Sequence, residues 1–95
     1  MSKYQVVASA KFRRDLKAAK KRGYDMALLD EVVSILAAGE ALPPKNHDHA
    51  LVGGKFKGCR ECHILPDWLL VYEIRDTDLV LYLTHTGTHS DLFGK

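Results

Sequence analysis

The chain has 95 residues, 46% of them hydrophobic and 27% charged, which is the composition of one ordinary globular domain with a modest core. No apolar run approaches the roughly 20 residues that span a bilayer, and the opening Met-Ser-Lys-Tyr-Gln-Val-Val lacks the apolar core of a signal peptide. The cytoplasm is therefore the expected compartment, and two cysteines there are expected to be reduced rather than part of a disulfide framework.

The net charge of +2 hides an asymmetry. Residues 1–22 carry eight Lys or Arg against one Asp, and residues 23–95 carry six against eleven acids. Such a two-ended chain suits a polyanion at one place and a basic partner at another.

Residues 3–8, Lys-Tyr-Gln-Val-Val-Ala, predict a first strand. Ser9 then caps a helix to about Arg22, with Gly23 as its stop. Phe12, Leu16 and Ala19 recur at helical spacing and form its buried stripe, ringed by Lys11, Arg13, Arg14, Lys17, Lys20, Lys21 and Arg22. Seven cations in twelve positions, balanced only by Asp15, fit phosphate contacts without sequence information better than an idle solvated face. Asp25 caps a second helix through Ala38, whose face of Leu28, Leu29, Val32, Ile35 and Leu36 carries no chemistry.

Residues 39–55 are punctuated by Gly39, Pro43, Pro44, Gly53 and Gly54 and hold His47-Asp48-His49, a loop suited to a site. Strands are expected at about 57–65, 68–75 and 78–84, the last two joined by Asp76-Thr77. Aromatic and branched residues on both sides of Pro66-Asp67 mark a hairpin that brings His63 and Asp67 together at one end of the sheet. The order β-α-α-β-β-β predicts an α+β domain with two helices packed on a mainly antiparallel sheet.

All five histidines lie between positions 47 and 89. Cys59-Arg-Glu-Cys62-His63 matches the pattern of covalent haem attachment, but that chemistry belongs to exported chains, and a strand turns the two cysteines to opposite faces. The same geometry breaks up a zinc site built from His47, His49, Cys59, Cys62 or His63, and no second ligand pair completes a tetrahedron. Both thiols then read as small strand residues. The third reading is RNA cleavage without a metal: a base removes the ribose 2′-hydroxyl proton, an acid protonates the leaving 5′-oxygen, and cations stabilise the charged phosphorane. His49, His63 and His89 titrate in the right range, and Asp67 could orient an imidazole or share the base role. Arg60, His85 and the main chain near Gly87 could serve the phosphate. Trp68, Tyr72 and Phe93 offer flat faces for an unpaired base.

These residues resemble the RelE-type bacterial toxins, specifically the YafQ branch of ribosome-dependent mRNA endoribonucleases. The resemblance runs through Asp48-His49-x-Leu51-x-Gly53, then Phe56-x-Gly58-x-Arg60-Glu61-x-His63-Ile64-x-Pro66-Asp67-Trp68-Leu69-Leu70-Val71-Tyr72, then Thr86-Gly87-Thr88-His89-x-x-Leu92-Phe93. It implies a small RelE-like microbial ribonuclease fold over the whole chain, cutting mRNA in the ribosomal A site and silenced by a cognate antitoxin, with no cofactor. It also implies His49, His63, Asp67 and His89 as the acid–base set, Phe93 as a substrate contact and the basic helix as the ribosomal RNA contact. One position departs: His85 stands where the family usually has Arg before Thr-Gly-Thr-His, so a permanent two-pronged phosphate grip is replaced by a ring charged only in part at neutral pH. A binding module of the same fold without cleavage is the alternative that this departure supports, and a metal-binding domain is the third.

Overall fold

The computed structural model describes residues 2–94. Ser9 separates the first strand, β1 (Gln5–Ala8), from the first helix, α1 (Ala10–Lys21). Its hydroxyl accepts from the Phe12 amide and donates to the Thr84 carbonyl, both at 2.9 Å, so the cap also ties the helix to the sheet. Asp25 caps α2 (Met26–Ala37) through the Ala27 amide at 3.0 Å. The chain continues through β2 (His49–Ala50), β3 (Arg60–Leu65), β4 (Trp68–Arg75), β5 (Val80–Gly87) and α3 (His89–Phe93). The sheet order is β1-β5-β4-β3-β2, with β1 parallel to β5 and the other neighbours antiparallel.

Helices α1 and α2 cover one face. Phe12, Ala19, Leu29, Val32 and Leu36 pack there against Cys62, Ile64, Trp68, Leu70, Tyr72, Leu81 and Leu83. Burying each large apolar side chain stabilises the fold by about 1.5–3 kcal/mol. The opposite face is covered only in part, by Phe56 and Leu92 on Leu69 and Val71. Alternation along β3 sends Glu61 and His63 to this second face, because Cys62 and Ile64 face the helices.

A bulge places the last candidate. Val71 pairs with His85 and Tyr72 with Leu83, which leaves Thr84 as an extra residue whose hydroxyl donates to the Val71 carbonyl at 3.0 Å. Counting by twos from Leu81 and Leu83 would turn His85 toward the helices; the bulge turns it to the second face and puts Thr86 inside.

The expected order of β-α-α-β-β-β therefore holds with two additions, the two-residue β2 and the one-turn-plus α3. The bounds move as well. The third strand starts at Arg60 rather than 57, because Gly54–Phe56 forms a 3-10 turn and Gly58 takes φ +88°. The last strand runs over 80–87 rather than 78–84, since residues 76–79 form a four-residue turn with Leu79 at φ 54°. Among the described residues no helix is long and apolar enough to cross a membrane.

Candidate active site

The site grows from the pairing of β2 with β3, which sets His49 opposite Glu61. That pairing is anchored from the other side of the sheet: Asp48 accepts from the Tyr72 hydroxyl and from Arg60 Nε and an Arg60 terminal nitrogen at 3.3 Å each. Glu61 is buried, with Oε1 3.2 Å from His49 Nε2 and 3.6 Å from His63 Nε2. Asn46, also buried, donates from its amide nitrogen to the His63 carbonyl at 2.7 Å and fixes the loop that carries His47. The His47 ring lies 5.3 Å from that of His63.

The second half comes from the Pro66-Asp67 turn and α3. Thr88 caps α3 in a reciprocal box with Asp91, which makes His89 its first residue. The His89 amide donates to Asp67 Oδ1 at 2.8 Å and ring Nδ1 meets the same oxygen at 2.6 Å. These two bonds, the amide first, hold the Asp67 carboxyl below its usual range. The His89 ring stands edge-on to His63 at 5.5 Å. So the expected pairing of His63 with Asp67 is made through His89.

The seat of α3 is close-fitting. A Cβ on Gly87 would come within 2.9 Å of the Asp91 side chain. Asp91 in turn binds Arg22 at 2.6 and 3.2 Å, and the guanidinium together with the Thr88 amide pulls the Asp91 pKa down to about 2. Arg22, counted by sequence among the helix cations, is committed to holding α3.

His47, His49, His63, Leu65 and Pro66, with Leu28 of α2, line a cleft of about 820 Å³. A separate hollow of about 560 Å³ lies over Val52, Lys55, Phe56 and Phe93. His85 stands on the same face of the sheet as His63, paired with Val71 across β4. Its ring stands against Phe56 at 4.9 Å, and Phe56 meets Phe93 at 5.5 Å. Burial pushes the His85 imidazole below its usual pKa, and Nδ1 is buried without a hydrogen-bond partner among the described residues.

Four of the sequence candidates, His49, His63, Asp67 and His89, thus converge, and His85 lies across β4 from them. Arg60 sits in register with Tyr72 on the helix side of β3 and is engaged by Asp48, away from the histidines. Trp68 and Tyr72 are buried core residues rather than flat faces for a base, whereas Phe93 is 40% exposed. Lys11 is paired with Asp15 at 2.6 Å, whereas Arg13, Arg14, Lys17, Lys20 and Lys21 are exposed and form no ion pair among the described residues. Cys59 and Cys62 belong to the two different clusters, and burial raises the Cys62 thiol to about 12. Sequence reasoning passed over Glu61, although Glu-x-His on a strand puts both side chains on one face.

A family model described as "Bacterial toxin of type II toxin-antitoxin system, YafQ" matches residues 4–94. The mRNA interferase toxin YafQ of Escherichia coli strain K12 is 40% identical over 87 residues, covering 90% of this chain and 91% of its own. The toxin in the crystal structure of the E. coli DinJ-YafQ toxin-antitoxin complex superposes with a TM-score of 0.86 at 36% identity, over 97% of this chain and 99% of that one. A metal-bound toxin from Helicobacter pylori superposes at 0.89 with 47% identity, over 95% and 99%. With a family match along nearly its whole length and the same α+β fold, this chain belongs to the YafQ family of bacterial type II toxin-antitoxin toxins.

Proposed function

We propose that this chain is an endoribonuclease, an mRNA interferase that cuts mRNA in the ribosomal A site, stops translation in the cytoplasm and is held silent by a cognate antitoxin. The observation that carries the reading is the His89–Asp67 pair at 2.6 Å, standing edge-on to His63 beside an open cleft. Asp67, its carboxyl held below the usual range by the His89 amide and then by the His89 ring, sets a negative charge beside the ring that is to give a proton. His49 and His63 stand on the other side as bases. One of them takes the 2′-hydroxyl proton, the 2′-oxygen attacks the adjacent phosphorus, and the 5′-oxygen leaves with a proton from His89. Phe93 stacks on the substrate. The exposed cations Arg13, Arg14, Lys17, Lys20 and Lys21 track ribosomal RNA phosphates.

The test is cleavage of mRNA on programmed ribosomes with naked RNA alongside. The native chain should cut on ribosomes only, and a double His63→Ala, His89→Ala chain should not cut. A folded native chain that binds ribosomes without cutting favours a second reading, an RNA-binding module of the same fold. That reading draws on His85, whose burial keeps a full positive charge from the position.

The same feature gives a prediction about rate. Replacing His85 with Arg puts a permanent cation on the same sheet face as the histidines, and cleavage should rise on the order of tenfold, the worth of about one charge-assisted hydrogen bond. Single-turnover rates of the two chains check this. A large loss instead would mean that His85 moves a proton of its own.

A further inference from the structure

Glu61 has no part in the scheme above, yet its surroundings are those of a working group. Its side chain is 6% exposed, Oε1 lies 3.2 Å from His49 Nε2 and 3.6 Å from His63 Nε2, and Oε2 is buried with no hydrogen-bond partner among the described residues. Among the described residues its ion-pair partners are these two imidazoles, with no Lys or Arg. A carboxylate withdrawn from water is costly unless donors and a positive charge meet it. Here the groups that can meet it are both from the base side of the cleft.

The fold makes this arrangement rather than merely permitting it. Pairing of β2 with β3 places His49 opposite Glu61, and strand alternation places His63 two residues along on the same face. The His63 contact is just beyond hydrogen-bond length. Such bonds in a free enzyme often tighten only when substrate arrives.

We propose that Glu61 is a positioning residue for the base of the cleavage reaction, an inference that rests on the ribonuclease reading above. It accepts from Nε2–H of His63, so that the neutral ring keeps its lone pair on Nδ1. It also offsets the positive charge that appears when that ring is protonated. In the step itself the proton passes from the 2′-oxygen to His63 Nδ1, the freed electron pair forms the O–P bond, and the P–O5′ bond breaks with its pair going to the 5′-oxygen, which takes a proton from His89. Glu61 gains and loses nothing. His49 meets the same carboxylate oxygen through Nε2 at 3.2 Å, but its Nδ1 lies 3.2 Å from the Ala50 carbonyl, an acceptor, so the free lone pair of the base belongs to His63.

The experiment compares the native chain with Glu61→Gln and Glu61→Asp in single-turnover cleavage on programmed ribosomes. Glu61→Gln keeps the shape and removes the charge, and should cut about a hundredfold more slowly at saturation with KM unchanged. Glu61→Asp, which restores the charge, should recover part of that loss. A Glu61→Gln chain that cuts at the native rate, or an Asp chain no faster than the Gln chain, overturns the proposal. An imidazole nitrogen-15 spectrum of the folded native chain tests the same idea without cleavage and without relying on a variant's folding. His63 should carry its neutral-state proton on Nε2, and a ring protonated on Nδ1 overturns the proposal. If the native chain fails to cut while this spectrum is as expected, it is the ribonuclease reading that has failed, not the placement of Glu61.

Discussion

Replacing His89 with alanine is expected to slow cleavage on ribosomes by about 10²- to 10⁴-fold, the usual worth of a positioned general acid. The fold should hardly notice. His89 is exposed, its amide still donates to Asp67 after the ring is gone, and Thr88 and Asp91 still cap α3. A surface change of this kind moves stability by about 0.5 kcal/mol or less. The loss should therefore fall on kcat, with the thermal midpoint and the affinity for ribosomes close to native. Asp67→Asn separates the two bonds that Asp67 makes. An amide oxygen can still accept from the His89 backbone but offers no negative charge to the imidazolium, so this chain should lie between native and His89→Ala. Measuring single-turnover rates beside a melting curve decides the matter. A His89→Ala chain cutting within about threefold of native would remove His89 from the reaction and return the acid role to His49 or His63.

Much of this architecture could be read in advance because its signals are local. Ser9 and Asp25 cap their helices as expected, since each is a short acceptor just before an apolar-periodic run. The hairpin at Pro66-Asp67 was equally plain. What could not be read is what depends on partners distant in the chain. Two residues of β2 make no periodicity; they become a strand only because the Glu61 and Arg60 backbone is beside them. The bulge at Thr84 is invisible in a sequence where His and Thr alternate, and it alone decides which face His85 occupies.

The site divides in the same way. His63, Asp67 and His89 stand out in the sequence for their chemistry, and folding brings them together because a turn and a helix start meet at one end of β4. Arg60 looked suited to a phosphate until Asp48, twelve residues away, claimed it. Arg22 looked like one more helix cation until Asp91 was found across the fold, at a sequence distance of 69 residues. Side chains engaged by a distant opposite charge cannot be told from free ones by composition. Buried Glu61 is the converse case, an acid that nothing in its neighbours marks as special until both imidazoles are seen around it.

Trp68→Ala is expected to destabilise the fold by about 3–5 kcal/mol, the range for emptying a large aromatic site. That is a large part of the roughly 5–15 kcal/mol that holds a domain together. Trp68 is 1% exposed and packs on the Tyr24 ring at 4.7 Å. Its indole donates to Thr86 Oγ1 at 2.9 Å, and that hydroxyl donates onward to the Leu69 carbonyl at 2.6 Å. The alanine chain therefore loses packing and leaves one acceptor of a buried hydroxyl unmet, a further cost of about 1 kcal/mol or more. Trp68→Phe retains most of the bulk and should lose less than half as much. Denaturant titration followed by circular dichroism reads both, because the chain has a single Trp and its fluorescence disappears with it. The midpoint should fall with the slope unchanged. The effect should also reach the chemistry, since Trp68 ties the start of β4, next to Asp67, to the end of β5, next to the Thr88 cap of His89. At temperatures where Trp68→Phe is fully folded, its cleavage rate should still be below native, through a looser His89–Asp67 pair. A variant destabilised as expected but cutting at the native rate would show that the pair is held by α3 alone.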